Sequence, residues 1–169
     1  MCFFCIKKRD MKLYYIDDEY IKYLRQYEDK IIYNTKAALL HKRIYTGVVF
    51  SIKDITYFAP LTSPKPNKPL IKKLVYDING GKLGHILLNN MIPCSKNNIS
   101  QIEFKMIDDI KYRRLLENQY RNISSNEKII INKANKIYKN VIVNQIKIFI
   151  KSCCDFKKLE EVYNKYPKL

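Results

Sequence analysis

Tyr45-Thr46-Gly47-Val48-Val49-Phe50-Ser51-Ile52-Lys53-Asp54-Ile55-Thr56-Tyr57-Phe58-Ala59-Pro60-Leu61 is the stretch that decides the fold. Two runs rich in β-branched and aromatic residues, Tyr45 to Lys53 and Thr56 to Leu61, flank a tight polar connection at Lys53-Asp54. Such side chains suit a pleated, half-buried surface, so the stretch reads as a β-hairpin, although its link is not an ideal turn pair. The pattern continues on both sides. Lys73 to Ile78 reads as a strand, Asn79-Gly80-Gly81 as a turn of residues that tolerate positive φ, and Lys82 to Leu88 as the return strand. Pro93 closes that strand, Gln101 to Ile107 alternates like a further one, and Met11 to Ile16 reads as an edge strand.

Helices flank these strands. Asp17 is placed to cap a helix over 18–28, with Tyr20, Leu24 and Tyr27 at helical spacing. Residues 29–43 read as a loop with a helical turn. Asp108 or Asp109 caps a helix carrying Ile110, Leu115, Leu116 and Tyr120. Ser124 and Glu127 have the spacing of a capping box, opening a long helix with Ile130, Ala134, Ile137, Val141 and Ile148 on one face. A terminal helical segment at 155–165 carries Phe156, Leu159 and Tyr163. The class is α+β: a compact, strongly bent antiparallel sheet or barrel flanked by helices, with a long helix toward the C-terminus. Residues 11–169 read as a single domain. Residues 1–10 read as an N-terminal extension outside the fold, with Met11 as the plausible true start.

The chain carries 32 basic and 16 acidic side chains among its 169 residues, a net charge of +16. Such an excess points to a polyanionic partner, because Lys and Arg gain affinity by releasing counterions from phosphates. The abundance of Lys, Asn, Ile and Tyr is also the mark of an A/T-rich coding sequence, which accounts for part of the lysine but not for its excess over the acids. No apolar run reaches the roughly 18 residues that span a bilayer. The protein reads as soluble and cytoplasmic, with no membrane partner. Five cysteines, an odd number, argue against a disulfide framework. Cys2 and Cys5 form a lone CxxC with no second pair to complete a zinc site.

Beyond the hairpin, Phe58-Ala59-Pro60-Leu61-Thr62-Ser63-Pro64-Lys65 places two hydroxyls and an ammonium within four residues at a strand end. Two prolines stiffen it. Donors fixed beside a cation suit a phosphate group; the plain alternative is a proline-rich surface turn. His41 and His85 have no spacing that brings them together, and His85 reads as a half-buried strand residue, so the paired-imidazole chemistry of some ribonucleases is not built on them. No paired acidic motif suggests a two-metal nuclease, and no cofactor is implied. RNA offers a route without metal, through attack of its own 2′-OH on the neighbouring phosphate. Lys65 suits the charge role there, Ser63 and Thr62 can donate to non-bridging oxygens, and Tyr45 is a candidate polar contact, or else a core aromatic. The general base is not evident. Lys42, Arg43, Lys68, Lys72, Lys73, Tyr57 and Tyr112 are the candidate RNA contacts. Rings that stack on bases and cations that meet phosphates are the combination that binds single-stranded RNA. A non-catalytic RNA- or DNA-binding protein is the competing reading of the same basic surface.

Four segments carry a family resemblance: Met11-Lys12-Leu13-Tyr14 with Tyr20-Ile21-Lys22-Tyr23-Leu24; Lys42-Arg43-Ile44-Tyr45-Thr46-Gly47-Val48-Val49; Tyr57 to Lys65; and Leu83-Gly84-His85-Ile86 through Asn90-Met91-Ile92-Pro93. In that order they resemble the toxin endoribonucleases of type III toxin–antitoxin systems, the ToxN/AbiQ/CptN family, over about residues 11–140. The resemblance implies a MazF-like fold, metal-independent cleavage of mRNA and of the toxin's own repeat-containing antitoxin precursor, and a bacterial or phage-defence setting. It also implies inhibition by the processed pseudoknot RNA, assembled with the toxin into a closed protein–RNA hetero-oligomer. The family's active-site residues match at Thr62, Ser63 and Lys65, with Tyr45 nearby. Residues 1–10 and 141–169 lie beyond the aligned part, and Cys94 departs from the small apolar residue usual after the Met-Ile-Pro segment.

Overall fold

The computed structural model describes residues 11–33, 42–64 and 69–167. The sequence expectations for residues 1–10, His41, Lys65 and Lys68 lie outside them. The hairpin forms as read: β2 (Tyr45–Ile52) and β3 (Ile55–Thr62) pair antiparallel around Lys53, whose φ of +51° turns the chain. A register shift between Gly47 and Phe50 breaks the ladder, the irregularity by which a strand bends. Gly47 is required opposite Phe58, because a Cβ there would lie 2.2 Å from the Phe58 ring.

β1 (Lys12–Ile16) pairs with β2 and also with β7 (Ile99–Gln101), so it is an inner strand rather than the expected edge. β4 (Val75–Asp77) and β5 (His85–Leu87) form a hairpin around Asn79-Gly80-Gly81, all three at positive φ. Both strands are three residues long, shorter than the sequence suggests. Pro93 does not close a strand. It lies inside β6 (Ile92–Cys94), which pairs with the start of β3 while β5 pairs with its end. The strand path is β4-β5-β3-β2-β1-β7, with β6 off it on β3; no pairing among the described residues closes it into a barrel. The alternation expected over Gln101 to Ile107 gives way to a 3₁₀ turn at Phe104–Met106.

α1 (Asp18–Arg25) is capped by Asp17, whose side chain accepts from the Glu19 amide. α2 (Ile110–Ser125) is capped by Asp109, which accepts from the Tyr112 amide at 3.0 Å. The expected capping box is absent. Ser124 lies within α2, and α3 (Glu127–Ile142) follows Asn126 without a side-chain cap. The long helix does not run to Ile148 either. It ends at Ile142, Gln145 takes φ +48°, and a separate α4 (Lys147–Ser152) and α5 (Phe156–Tyr163) complete the chain. α5 packs on β6 and α3 on β2. Between helices and sheet, Phe50, Tyr57, Tyr138 and Phe156 form a ring cluster, with centroids 4.5 Å apart for Phe50–Tyr57 and 5.7 Å for Tyr138–Phe156. Glu160 of α5 accepts from both Tyr57 and Tyr138 hydroxyls at 2.7 Å.

Candidate active site at the end of the third strand

β3 ends at Thr62, and Ser63 follows it into solvent. Leu61, immediately before, is buried and anchors the end: its amide donates to the Ile44 carbonyl at 2.8 Å. The Leu61 carbonyl accepts from the Arg43 guanidinium at 3.1 Å. Arg43 is thus bent back onto the strand that carries the hydroxyls. Burial pulls its guanidinium down from the usual range, with Tyr45 acting in the opposite sense, and its Nε is buried without a partner. Lys42 stands exposed beside it, 4.0 Å from Asp18.

Tyr45 is brought to this end of the sheet, as register partner of Pro60, but it is 3 % exposed. Burial pushes its phenol well up, with Arg43 pulling partly down. A phenol held protonated in this way is a packing group with a hydroxyl donor, not a base. Tyr57 is corrected outright as an RNA contact. It is fully buried, and its hydroxyl is committed to Glu160. Tyr112 sits half-buried on α2, pushed up to about 12 by burial first and Tyr15 of β1 second. That places it beside β1, two strands from β3. Lys72 and Lys73 are exposed just before β4, and the Lys72 carbonyl accepts from Lys133 of α3.

His85, which spacing alone sets aside, joins the site, together with Asp77. His85 is the register partner of Thr62, and Asp77 is the register partner of His85. His85 Nδ1 lies 2.8 Å from Asp77 Oδ1. The approach of β5 depends on Gly84, at φ +104°, where a Cβ would meet the Thr62 carbonyl oxygen at 2.2 Å. The signal in the sequence is the eight-residue step from Asp77 to His85 across Asn79-Gly80-Gly81, which a hairpin turns into direct neighbours. Its relation to Thr62 depends on a pairing between strands distant in sequence.

Known proteins resemble this chain over nearly its whole length. "Endoribonuclease ToxN" of Bacillus thuringiensis subsp. kurstaki is 34% identical over 168 residues, covering 94% of this chain and 86% of that protein. "Endoribonuclease AbiQ" of Lactococcus lactis subsp. lactis is 28% identical, covering 96% and 93%. A structure from work on selective toxin inhibition by a non-coding RNA pseudoknot in bacterial type III toxin–antitoxin systems matches with a TM-score of 0.82 at 33% identity, over 94% of this chain and 98% of that one. The structure of AbiQ, a lactococcal anti-phage endoribonuclease, matches with a TM-score of 0.83 at 26% identity, over 94% and 98%. The family model described as "Toxin ToxN, type III toxin-antitoxin system" spans residues 12–164, running through α4 and α5 well past the point where the sequence resemblance ends. The chain belongs to the ToxN family of type III toxin–antitoxin toxins.

Proposed function

We propose that this protein is an endoribonuclease toxin that cuts single-stranded RNA at the end of β3 and is held inactive by a small folded RNA. The observation that carries the reading is the strand end itself: Thr62 and an exposed Ser63, fixed by the Leu61–Ile44 backbone bond and flanked by Arg43 and Lys42. Two hydroxyl donors beside cations are suited to a phosphodiester whose charge grows in the transition state. In this reading the RNA supplies its own nucleophile. The 2′-OH attacks the adjacent phosphorus, leaving a 2′,3′-cyclic phosphate and a 5′-OH, without a metal ion. Ser63 and Thr62 hold non-bridging oxygens, and Lys65, two residues beyond Ser63 in sequence, neutralises the extra charge. Lys72, Lys73 and Lys42 guide the strand in.

The inhibitor is a repeat-derived RNA pseudoknot, cut from its precursor by the toxin and assembled with it into a closed complex in the cytoplasm. Membership of the family supports this part, since matching structures come from work on toxin inhibition by a non-coding RNA pseudoknot and on a processed non-coding RNA that regulates a bacterial antiviral system. A net charge of +16 gives any folded RNA a strong, salt-dependent attraction to the chain.

The test is purified protein with single-stranded RNA in EDTA. Fragments ending in cyclic phosphate are expected. Lys65→Ala abolishes cleavage with the fold intact, and Ser63→Ala slows it by about 10²–10³. Intact RNA that migrates more slowly would make the protein a binder instead, and Lys65→Ala cutting at the wild-type rate would move the site elsewhere.

A further inference from the structure

Asp77, His85 and Thr62 form one row across three adjacent strands. Register partners in an antiparallel pair project from the same face, with Cβ atoms about 4.5–5.5 Å apart. The neighbouring residues Leu61 and Ile86, paired with one another, point the other way and are buried. The row is therefore on the face away from that packing, and its side chains are not sealed: His85 is 14% exposed and Asp77 33%.

The His85–Asp77 contact fixes the chemistry of the ring. A carboxylate only accepts, so Nδ1 carries the hydrogen, and in the neutral ring it is Nε2 that keeps its lone pair. The backbone around the ring is specialised for it. Gly81, at φ +86°, would place a Cβ 3.1 Å from His85 Cε1, and Gly84 admits β5 against Thr62. α2 braces the turn that joins them, through Gln119 Nε2 donating to the Leu83 carbonyl at 2.7 Å and Asn122 Oδ1 accepting from the Asn79 amide at 3.2 Å. Among the described residues, Lys133 of α3 senses Asp77 and donates to the carbonyls of Lys72 and Val75.

We propose that His85, oriented by Asp77, is the base that takes the proton from the attacking 2′-OH. This rests on the cleavage reading above and supplies the group that reading lacks. The O2′–P bond forms and the P–O5′ bond breaks. The 2′-OH proton passes to Nε2, and the departing 5′-oxygen takes a proton from solvent. The imidazolium, steadied by the Asp77 carboxylate, then returns its proton to solvent. Asp77 is a positioning residue in this scheme. A phosphate held by the Thr62 hydroxyl lies one strand from the ring, within the reach of a base acting directly or through one water.

Single-turnover cleavage of one RNA in EDTA, measured against pH, tests it. The wild-type rate is expected to rise with pH along an acid limb of unit slope. His85→Gln cuts roughly 10²–10⁴-fold more slowly and loses that limb. His85→Ala regains about 10-fold or more on addition of imidazole at constant pH, a response that a merely structural histidine does not give. Asp77→Asn slows cleavage and keeps the limb. A His85→Gln variant within about 3-fold of wild type, with an unchanged profile, overturns the inference. Should the variants melt by circular dichroism, the wild-type profile decides alone: a rate with no acid limb overturns it. Wild-type protein that leaves the RNA intact overturns the cleavage reading itself, a result distinct from either.

Discussion

Gly84 leaves no space for a side chain against Thr62: a Cβ at position 84 would stand 2.2 Å from the Thr62 carbonyl oxygen. The obstacle is backbone, so no rotamer change relieves it. The φ of +104° adds a second penalty. Gly84→Ala is expected to cost about 2–4 kcal/mol and to lower the melting temperature by roughly 5–15 °C in a chain of this size. Gly80→Ala is the control. It shares the positive φ but meets nothing within 4 Å, and should cost about 1 kcal/mol. Equal losses in the two variants would remove the close approach of β5 to β3 from the account.

The displaced tyrosine and cysteine titrations all move upward, so their effects on stability add. Burial raises Tyr20, Tyr45, Tyr57 and Tyr138, and likewise Cys94, Cys153 and Cys154. The folded chain holds these protons to higher pH than the unfolded chain, whose thiols release near 8.5 and phenols near 10. Their contribution is whole below about pH 8.5 and falls as the unfolded state deprotonates. The free energy from urea unfolding is expected to hold between pH 7 and 8 and to drop steadily from pH 9 to 10.5. Constancy across that range would contradict the burial of these groups.

How far such features were legible depends on whether they are local. Asp17 and Asp109 cap helices because a cap needs only the next few amides. The β2–β3 hairpin follows from its own two runs. Ser124 fits the same local rule and fails. Ile123 and Ile130 are both fully buried, and packing them carries α2 through Ser125, leaving the Ser124 hydroxyl buried without a partner. Pro93 reads as a terminator because it lacks an amide hydrogen. It is nonetheless paired opposite Tyr57, with its carbonyl accepting from Tyr20 at 2.6 Å. At the site, the hydroxyls of Thr62 and Ser63 are visible in the sequence as a cluster. The placement of the Asp77–His85 pair beside Thr62 is not, because register between β3 and β5 is set by pairing across more than twenty residues of chain.

Glu28 ties the helical end of the chain to the rest. It is 7 % exposed; Oε1 accepts from the Lys30 amide at 2.9 Å and Oε2 from the Asp155 amide at 2.6 Å, at the cap of α5. Glu28→Ala strands both donors and is expected to cost about 2–3 kcal/mol. Glu28→Gln keeps one acceptor oxygen and should lose less. The midpoints of urea unfolding rank the three proteins, and an unchanged midpoint for Glu28→Ala would show that α5 docks without this carboxylate.

Gly47 and Phe58 answer to a double-mutant cycle. A Cβ at 47 would lie 2.2 Å from Phe58 Cδ1 and 2.4 Å from Cε1, in a ring that is 2 % exposed and stacks edge-on against Tyr14 at 5.3 Å. The ring cannot swing away without losing that contact. Gly47→Ala alone is expected to cost about 2–4 kcal/mol, and Phe58→Leu alone about 1–2 kcal/mol through lost packing. Leucine vacates the volume where the new methyl falls, so the double variant should be less destabilised than the sum by about 1 kcal/mol or more. Additive losses would mean that Gly47 serves the bend of β2 rather than the ring across from it.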